Sequence, residues 1–158
     1  MAAVLDLSKY RDRKVDVLAW HGGQPSGEDL LVAELANQSF PGEVTTGIQK
    51  LAQRFVIALL TESGTSPYKP ELGTDFMRNI RRGTIRSTEQ LISAFILAER
   101  TASRYLKAEE TDDDPADERY GGASLTSATL SGDTVVLYVR LESLAESAEF
   151  IVPVPVVV

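Results

Sequence analysis

Between residues 44 and 59 the apolar side chains return every three or four positions: Val44, Ile48, Leu51, Phe55 and Leu59, with Ala52 and Val56 beside them. That period draws one broad stripe down a helix. It predicts a helix over residues 45–61, with Gly64 as its stop. The same period returns at Leu91, Phe95, Ala98, Ala102 and Tyr105, flanked by Ile92, Ile96 and Leu106. It follows Ser87-Thr88-Glu89-Gln90, a capping-box pattern in which Ser87 accepts from the Gln90 amide while the Gln90 side chain reaches back. A second long helix is expected over residues 88–107. Between the two, Phe76, Met77 and Ile80 give a short helix a buried side. Thr74 is placed to cap it, Asp75 suits its positive end, and Gly83 ends it.

Further along, the period changes to two. Residues 123–130 read as a strand, Ser131-Gly132-Asp133 as a hairpin turn, and residues 134–141 as a second strand. That strand puts Val135, Leu137, Val139 and Leu141 on one face and Val136, Tyr138 and Arg140 on the other. Residues 150–158 (FIVPVPVVV) read as extended chain. Helices first and strands afterwards predict an α+β fold: a helical layer of two long helices and a short one, then a small antiparallel β-sheet of about three strands.

The pattern is fainter before residue 40. Residues 14–20 (KVDVLAW) alternate as a strand does, and residues 21–27 (HGGQPSG) are a loop by composition. Residues 28–36 (EDLLVAELA) suggest a short helix, with Leu31 and Leu35 four apart. Residues 1–39 are therefore read as an N-terminal arm or peripheral segment. Pro41-Gly42 marks the start of a single α+β domain over residues 40–158. Within it, residues 109–118 carry seven acids in ten positions, which reads as a solvated acidic loop.

Composition narrows the function. The chain has 158 residues, enough for one real core, and its 43% hydrophobic and 25% charged fractions are ordinary for a soluble protein. With no cysteine, disulfides and thiolate metal sites are excluded. A net charge of −7 disfavours nonspecific nucleic-acid binding, which needs phosphate-neutralising cations. No apolar run approaches the roughly 18 residues of a membrane span. The opening MAAVLDLSKYRDRK lacks the ordered regions of a signal peptide, so the expectation is a protein made and kept in the cytoplasm.

Candidate chemistry is thin. Glu62, Glu71 and Asp75 could be considered for glycoside hydrolysis, but no spacing fixes two carboxylates on a common scaffold. They read instead as a turn acid, a loop ion pair and a helix-start charge. His21 is the only histidine, and zinc sites want more nitrogen or sulfur ligation. The acidic run has no central Gly and has Pro115 where an EF-hand needs its turn. No catalytic residue, metal site or cofactor is expected. Arg78, Arg81, Arg82 and Arg86 form a basic cluster, the first three sharing about one helical face. No aromatics interleave them for base stacking, so they are expected to pair with carboxylates of this chain or of a protein partner.

The valine-rich tail carries the sharpest physical inference. In a strand, residues two apart present their backbone groups to the same edge. Pro153 and Pro155 therefore remove two donors from one edge only, and the edge of Val152, Val154 and Val156 stays intact. Such a segment pairs on one side. It is an edge strand of its own sheet, a strand added to a partner, or both.

Residues 48–61 (IQKLAQRFVIALLT), then 66–76 (SPYKPELGTDF), then a helix opening at Ser87 and a sheet-forming tail resemble the baseplate wedge and sheath-initiator family of contractile phage tails, also called the lysozyme-like baseplate wedge family. The resemblance covers about residues 40–158. In that family a helix ends in a Leu-Leu-Thr-like turn, and a Pro-x-x-Gly-[Ser/Thr] loop opens the next helix. Pro70, Gly73 and Thr74 stand in those places as the structural loop. Where the family has a Glu-Pro-Arg triplet thought to pack the subunit core, this chain has Asp117-Glu118-Arg119.

The resemblance implies a structural subunit and not an enzyme. It would be a virion protein of the tail baseplate, assembled in the host cytoplasm and present in multiple copies around the tail axis. Its partners would be the tail sheath protein, baseplate wedge proteins and the end of the tail tube, with neither nucleic acid nor membrane among them. Its task would be to initiate sheath polymerisation by offering a β-sheet edge or strand to the first sheath subunits. The sheath-binding residues implied are Leu137, Val139, Ile151, Val152, Val154 and Val156, with Arg78, Arg81, Arg82 and Arg86 facing a partner. The alternatives are a lysozyme-like glycoside hydrolase and a generic protein-binding adaptor.

Overall fold

The structure, a computed structural model, describes residues 12–14, 16–17, 31–34, 41–131 and 134–155. Its first helix, α1 (Gly47–Leu60), buries the predicted stripe of Ile48, Leu51, Ala52, Phe55, Val56 and Leu59. Phe55 is the hub of the core. Its ring stacks on Tyr120 at 5.9 Å between centroids and meets Phe95 and Phe150 at 6.4 Å each. These three partners come from a helix and two different strands, so one side chain joins both layers.

The short α2 (Phe76–Arg81) and the long α3 (Thr88–Glu109) complete the helical layer. α3 buries Leu91, Phe95, Ala98, Ala102 and Leu106, one face at three-four spacing. Ser87 Oγ accepts from the Gln90 amide at 3.3 Å, as the capping pattern predicts. The Gln90 side chain reaches back to the amide of Arg86, one residue before the N-cap. At α2 the N-cap is Asp75, and Thr74 acts one residue early by accepting from the Phe76 amide at 3.2 Å.

Three strands follow: β4 (Tyr120–Ser131), β5 (Thr134–Ser143) and β6 (Ser147–Pro155), antiparallel in the order β4-β5-β6. Ser131 pairs with Thr134; Gly132 and Asp133, where the turn is expected, lie outside the described residues, as do residues 156–158. Leu137, Val139 and Leu141 of β5 and Ala148, Phe150, Val152 and Val154 of β6 face the helices and are buried. The fold is therefore α+β, with a helical layer followed by a small antiparallel sheet.

A second antiparallel sheet was not foreseen. It consists of β1 (Asp16–Val17), β2 (Leu31–Glu34) and β3 (Pro41–Thr45) in the order β1-β3-β2. The helix expected over residues 28–36 is corrected: residues 31–34 are strand, paired residue for residue with 41–44. Two leucines four apart are too little to nucleate a helix, and cross-strand pairing outweighs that weak local preference. Pro41-Gly42 is likewise not a break but the start of β3, where proline at a strand's first position is tolerated. The pairing of β2 with β3 spans the expected boundary at residue 40.

The acidic segment also differs from a solvated loop. α3 runs on through Glu109, and Ala116–Glu118 form a 3-10 turn. Glu118 is only 3% exposed. Its Oε1 accepts from the Gly47 amide at 3.0 Å, and its Oε2 accepts from Lys50 Nζ at 2.6 Å. A carboxylate at the positive end of α1 satisfies an amide that Thr46, which makes no side-chain cap bond, leaves open. Beside it Arg13 Nη1 donates to Asp117 at 2.7 Å, and Lys50 Nζ also donates to the Lys14 carbonyl. Arg13 is thus tied to the 3-10 turn by an ion pair, and Lys14 to α1 by a hydrogen bond.

Candidate functional site

Two free edges bound the β4-β5-β6 sheet, and they are unlike. β6 pairs with β5 without a break from Ser147 opposite Glu142 to Pro155 opposite Thr134. Successive N–H groups of a strand point to opposite edges. Proline has none, so the donors that hold β6 to β5 belong to the alternate set of Ala148, Phe150, Val152 and Val154. The intact edge of the valine strand is therefore occupied by the chain's own β5. The outer edge of β6 belongs to Ser147, Glu149, Ile151, Pro153 and Pro155, and it lacks two donors.

Carried across β5, the same alternation fixes the outer edge of β4. Gly122, Ser124, Ser127, Thr129 and Ser131 face β5, so the amides of Ala123, Leu125, Ala128 and Leu130 point outward. The phase changes at a bulge between Leu125 and Ser127. Among the described residues, no strand pairs with this edge. β4 holds neither proline nor a charged residue, whereas edge strands are commonly guarded by charge, proline or a covering element.

α3 supplies the floor beside that edge. Glu99 Oε1 accepts from the Tyr120 hydroxyl at 2.7 Å, and Lys107 Nζ lies 5.9 Å from the Tyr120 ring centre. Burial, and then the Glu99 hydrogen bond, push the Tyr120 hydroxyl far up, so it stays a neutral donor. Near the other end of β4, Leu91 lines a common cleft with Ala128 and Thr129. α3 thus lies along β4 and runs opposite to it. Ile92 and Ile96 continue the Glu99–Ser103–Lys107 row at helical spacing and are 41% and 46% exposed. An apolar shelf accompanies the open strand.

Four of the six residues expected to bind a sheath partner are not available to one. Leu137, Val139, Val152 and Val154 are at most 1% exposed, buried in the chain's own core. Alternation explains this: the apolar face of each strand is the face that the helices cover. Ile151 points to the opposite face, pairs with Tyr138 and is 40% exposed. Val156 lies outside the described residues.

The loop after α1 is a rigid staple. Thr74 donates its amide to the Thr61 carbonyl at 2.8 Å and its hydroxyl to the Leu59 carbonyl at 2.7 Å. Gly73 has φ +109°, and a Cβ there would stand 2.7 Å from the Thr61 oxygen, so no other residue fits. Pro70 is exposed at the loop's outer turn. Arg78 and Arg81 close the clasp by gripping Glu62 at 2.9 and 3.1 Å, and Arg78 also meets Asp75 at 2.9 Å. The in-chain alternative for the basic cluster thus holds for Arg78 and Arg81. Arg82 is exposed, and the Arg86 side chain donates to the Gly83 carbonyl.

The carboxylates of this region are held in ion pairs or lie exposed. The Arg78 hydrogen bond holds the Glu62 carboxyl below the ordinary glutamate range, the opposite of what a general acid needs. Glu71 is exposed, and Asp75 is paired with Arg78. Among the described residues, no three acids or histidines gather as a metal site, and no helix is long and apolar enough to cross a membrane. His21 lies outside the described residues. Sequence reading missed both the β4 edge and Glu118. The edge was readable as a twelve-residue strand without proline or charge, whereas the role of Glu118 depends on a partner 71 positions away. No protein-family model matches the chain, and neither a curated protein nor a solved structure matches it.

Proposed function

We propose that the chain is a structural subunit of a contractile tail baseplate, and that it initiates the sheath by accepting an extended sheath segment along the outer edge of β4. The observation that carries this reading is the contrast between the sheet's two edges. One lacks the donors of Pro153 and Pro155, and the other offers four outward amides in an uncharged, proline-free strand. A strand added there gains backbone hydrogen bonds of about 0.5–1.5 kcal/mol each. Ile92 and Ile96 give its inward side chains apolar surface, without which those bonds would be too weak for stable docking.

The resemblance to the sheath-initiator family supplies the context. Glu118 stands where that family's triplet has its glutamate, and its burial against Gly47 and Lys50 agrees with a role in packing. The Pro70–Thr74 loop, with its obligatory glycine, likewise agrees with a structural role. The N-terminal sheet and its ion pairs remain for wedge neighbours.

The test is sheath assembly with Ala123→Pro, co-expressed with the tail's sheath and baseplate proteins and viewed by electron microscopy. That change removes one outward amide and leaves the β5 ladder its donors. Loss of assembly, with the variant folded by circular dichroism, supports the edge. Assembly at the wild-type level overturns it.

A further inference from the structure

The open edge leads into a cleft. Ile80 of α2, Ile85 and Arg86 of the α2–α3 linker, Leu91 of α3, and Ala128 and Val135 of the sheet line a space of about 400 Å³. Its walls are mainly aliphatic, and it has room for more than one side chain. Ala128 belongs to both features: its amide points out from the β4 edge, and its residue lines the cleft. A segment paired along β4 therefore delivers an inward-facing side chain to this space.

Charge selects the flanks of that segment. The whole chain is acidic at −7, yet this corner is basic. Arg78 and Arg81 are taken by Glu62, and the Arg82 charge acts on Glu62 as well, but among the described residues Arg86 has no carboxylate within ion-pair reach. The acid closest in sequence, Glu89, is engaged by Ser87 at the head of α3. The exposed Arg86 lines this apolar cleft and complements an aliphatic side chain with a carboxylate next to it.

We infer that this cleft anchors an acidic-aliphatic stretch of the docked partner segment: one branched or aromatic side chain enters it, and an adjacent Asp or Glu pairs with Arg86. The inference rests on the strand-docking reading of β4 and adds a sequence requirement to it.

The experiment uses two fluorescein-labelled peptides of alternating Val and Ser, one ending Leu-Asp-Asp and the other Leu-Lys-Lys, titrated into the full chain by fluorescence polarisation. The expected result is that the acidic peptide binds at least about tenfold more tightly, and that Arg86→Glu removes this preference. Equal binding, no binding of either peptide, or a preference unchanged in the variant overturns the cleft assignment. Ala123→Pro separates the two readings. It is expected to weaken both peptides alike while keeping their order. If it leaves both affinities unchanged with the order intact, the cleft stands and the β4 edge falls.

Discussion

Glu118 and Gly47 lie 71 positions apart in sequence and 3.0 Å apart in space, the carboxylate accepting the amide at the head of α1. The bond joins the turn that leads into the sheet to the first turn of the central helix. Because Lys50 shares the same carboxylate, its loss leaves an amide without its acceptor and an ammonium without its counter-charge, the Lys14 carbonyl alone still accepting from it. Glu118→Ala is expected to cost about 3 kcal/mol. Glu118→Gln, which keeps one acceptor, is expected to cost less. Urea unfolding of the two variants against wild type measures the difference.

Gly73 and Gly64 separate two reasons for glycine in one loop. Both have positive φ, but only Gly73 has backbone where a Cβ would go. Gly64→Ala is expected to cost about 1 kcal/mol, the left-handed penalty alone. Gly73→Ala is expected to cost more than about 2 kcal/mol, because the Thr61–Thr74 staple must open to admit the methyl group. Thermal melts of the pair test the contrast.

The Glu62 clasp gives a pH signature. Its carboxyl titrates below the ordinary range because Arg78 donates to it, so the ion pair's stabilisation is full at neutral pH. Stabilisation falls away as pH drops through that lowered midpoint, on the acid side of the ordinary glutamate range. In Arg78→Gln the Glu62 midpoint is expected to rise toward the ordinary range. Carboxyl-carbon NMR titration reads both midpoints directly, and an unchanged midpoint would refute the clasp.

The prolines of β6 are expected to guard against self-association. Pro153→Ala/Pro155→Ala restores two outward amides on an apolar strand. The double variant is expected to form dimers or larger species as concentration rises, while wild type under the same conditions forms fewer. Light scattering after size exclusion decides it.

Much of the helical layer was legible because its signals are local. The three-four stripes of α1 and α3 and the Ser87 cap each lie within a few turns of chain, and the predicted helices end within two residues of the observed ones. The strands of the C-terminal sheet were legible from alternation. The use of their faces was not, since alternation shows that a valine face exists but not whether helices or a partner cover it. Residues 31–34 went wrong because a short apolar run has no period of its own and takes its structure from β3. Glu118 was hidden in an acidic run in which nothing local sets it apart from its neighbours. The open edge of β4 stayed illegible because it is marked by what the strand lacks, proline and charge, and not by a residue it holds.

An edge closed on one side gives the sheet a valence of one. Copies stacked with β4 of one against β6 of the next would form an endless ribbon, because such a head-to-tail contact never closes. Pro153 and Pro155 deny that ribbon two of its donors. Pairing of β4 with a second β4 closes on itself and stops at two. A strand from another protein can still begin a ladder there, and this chain cannot extend that ladder through its own sheet to a third.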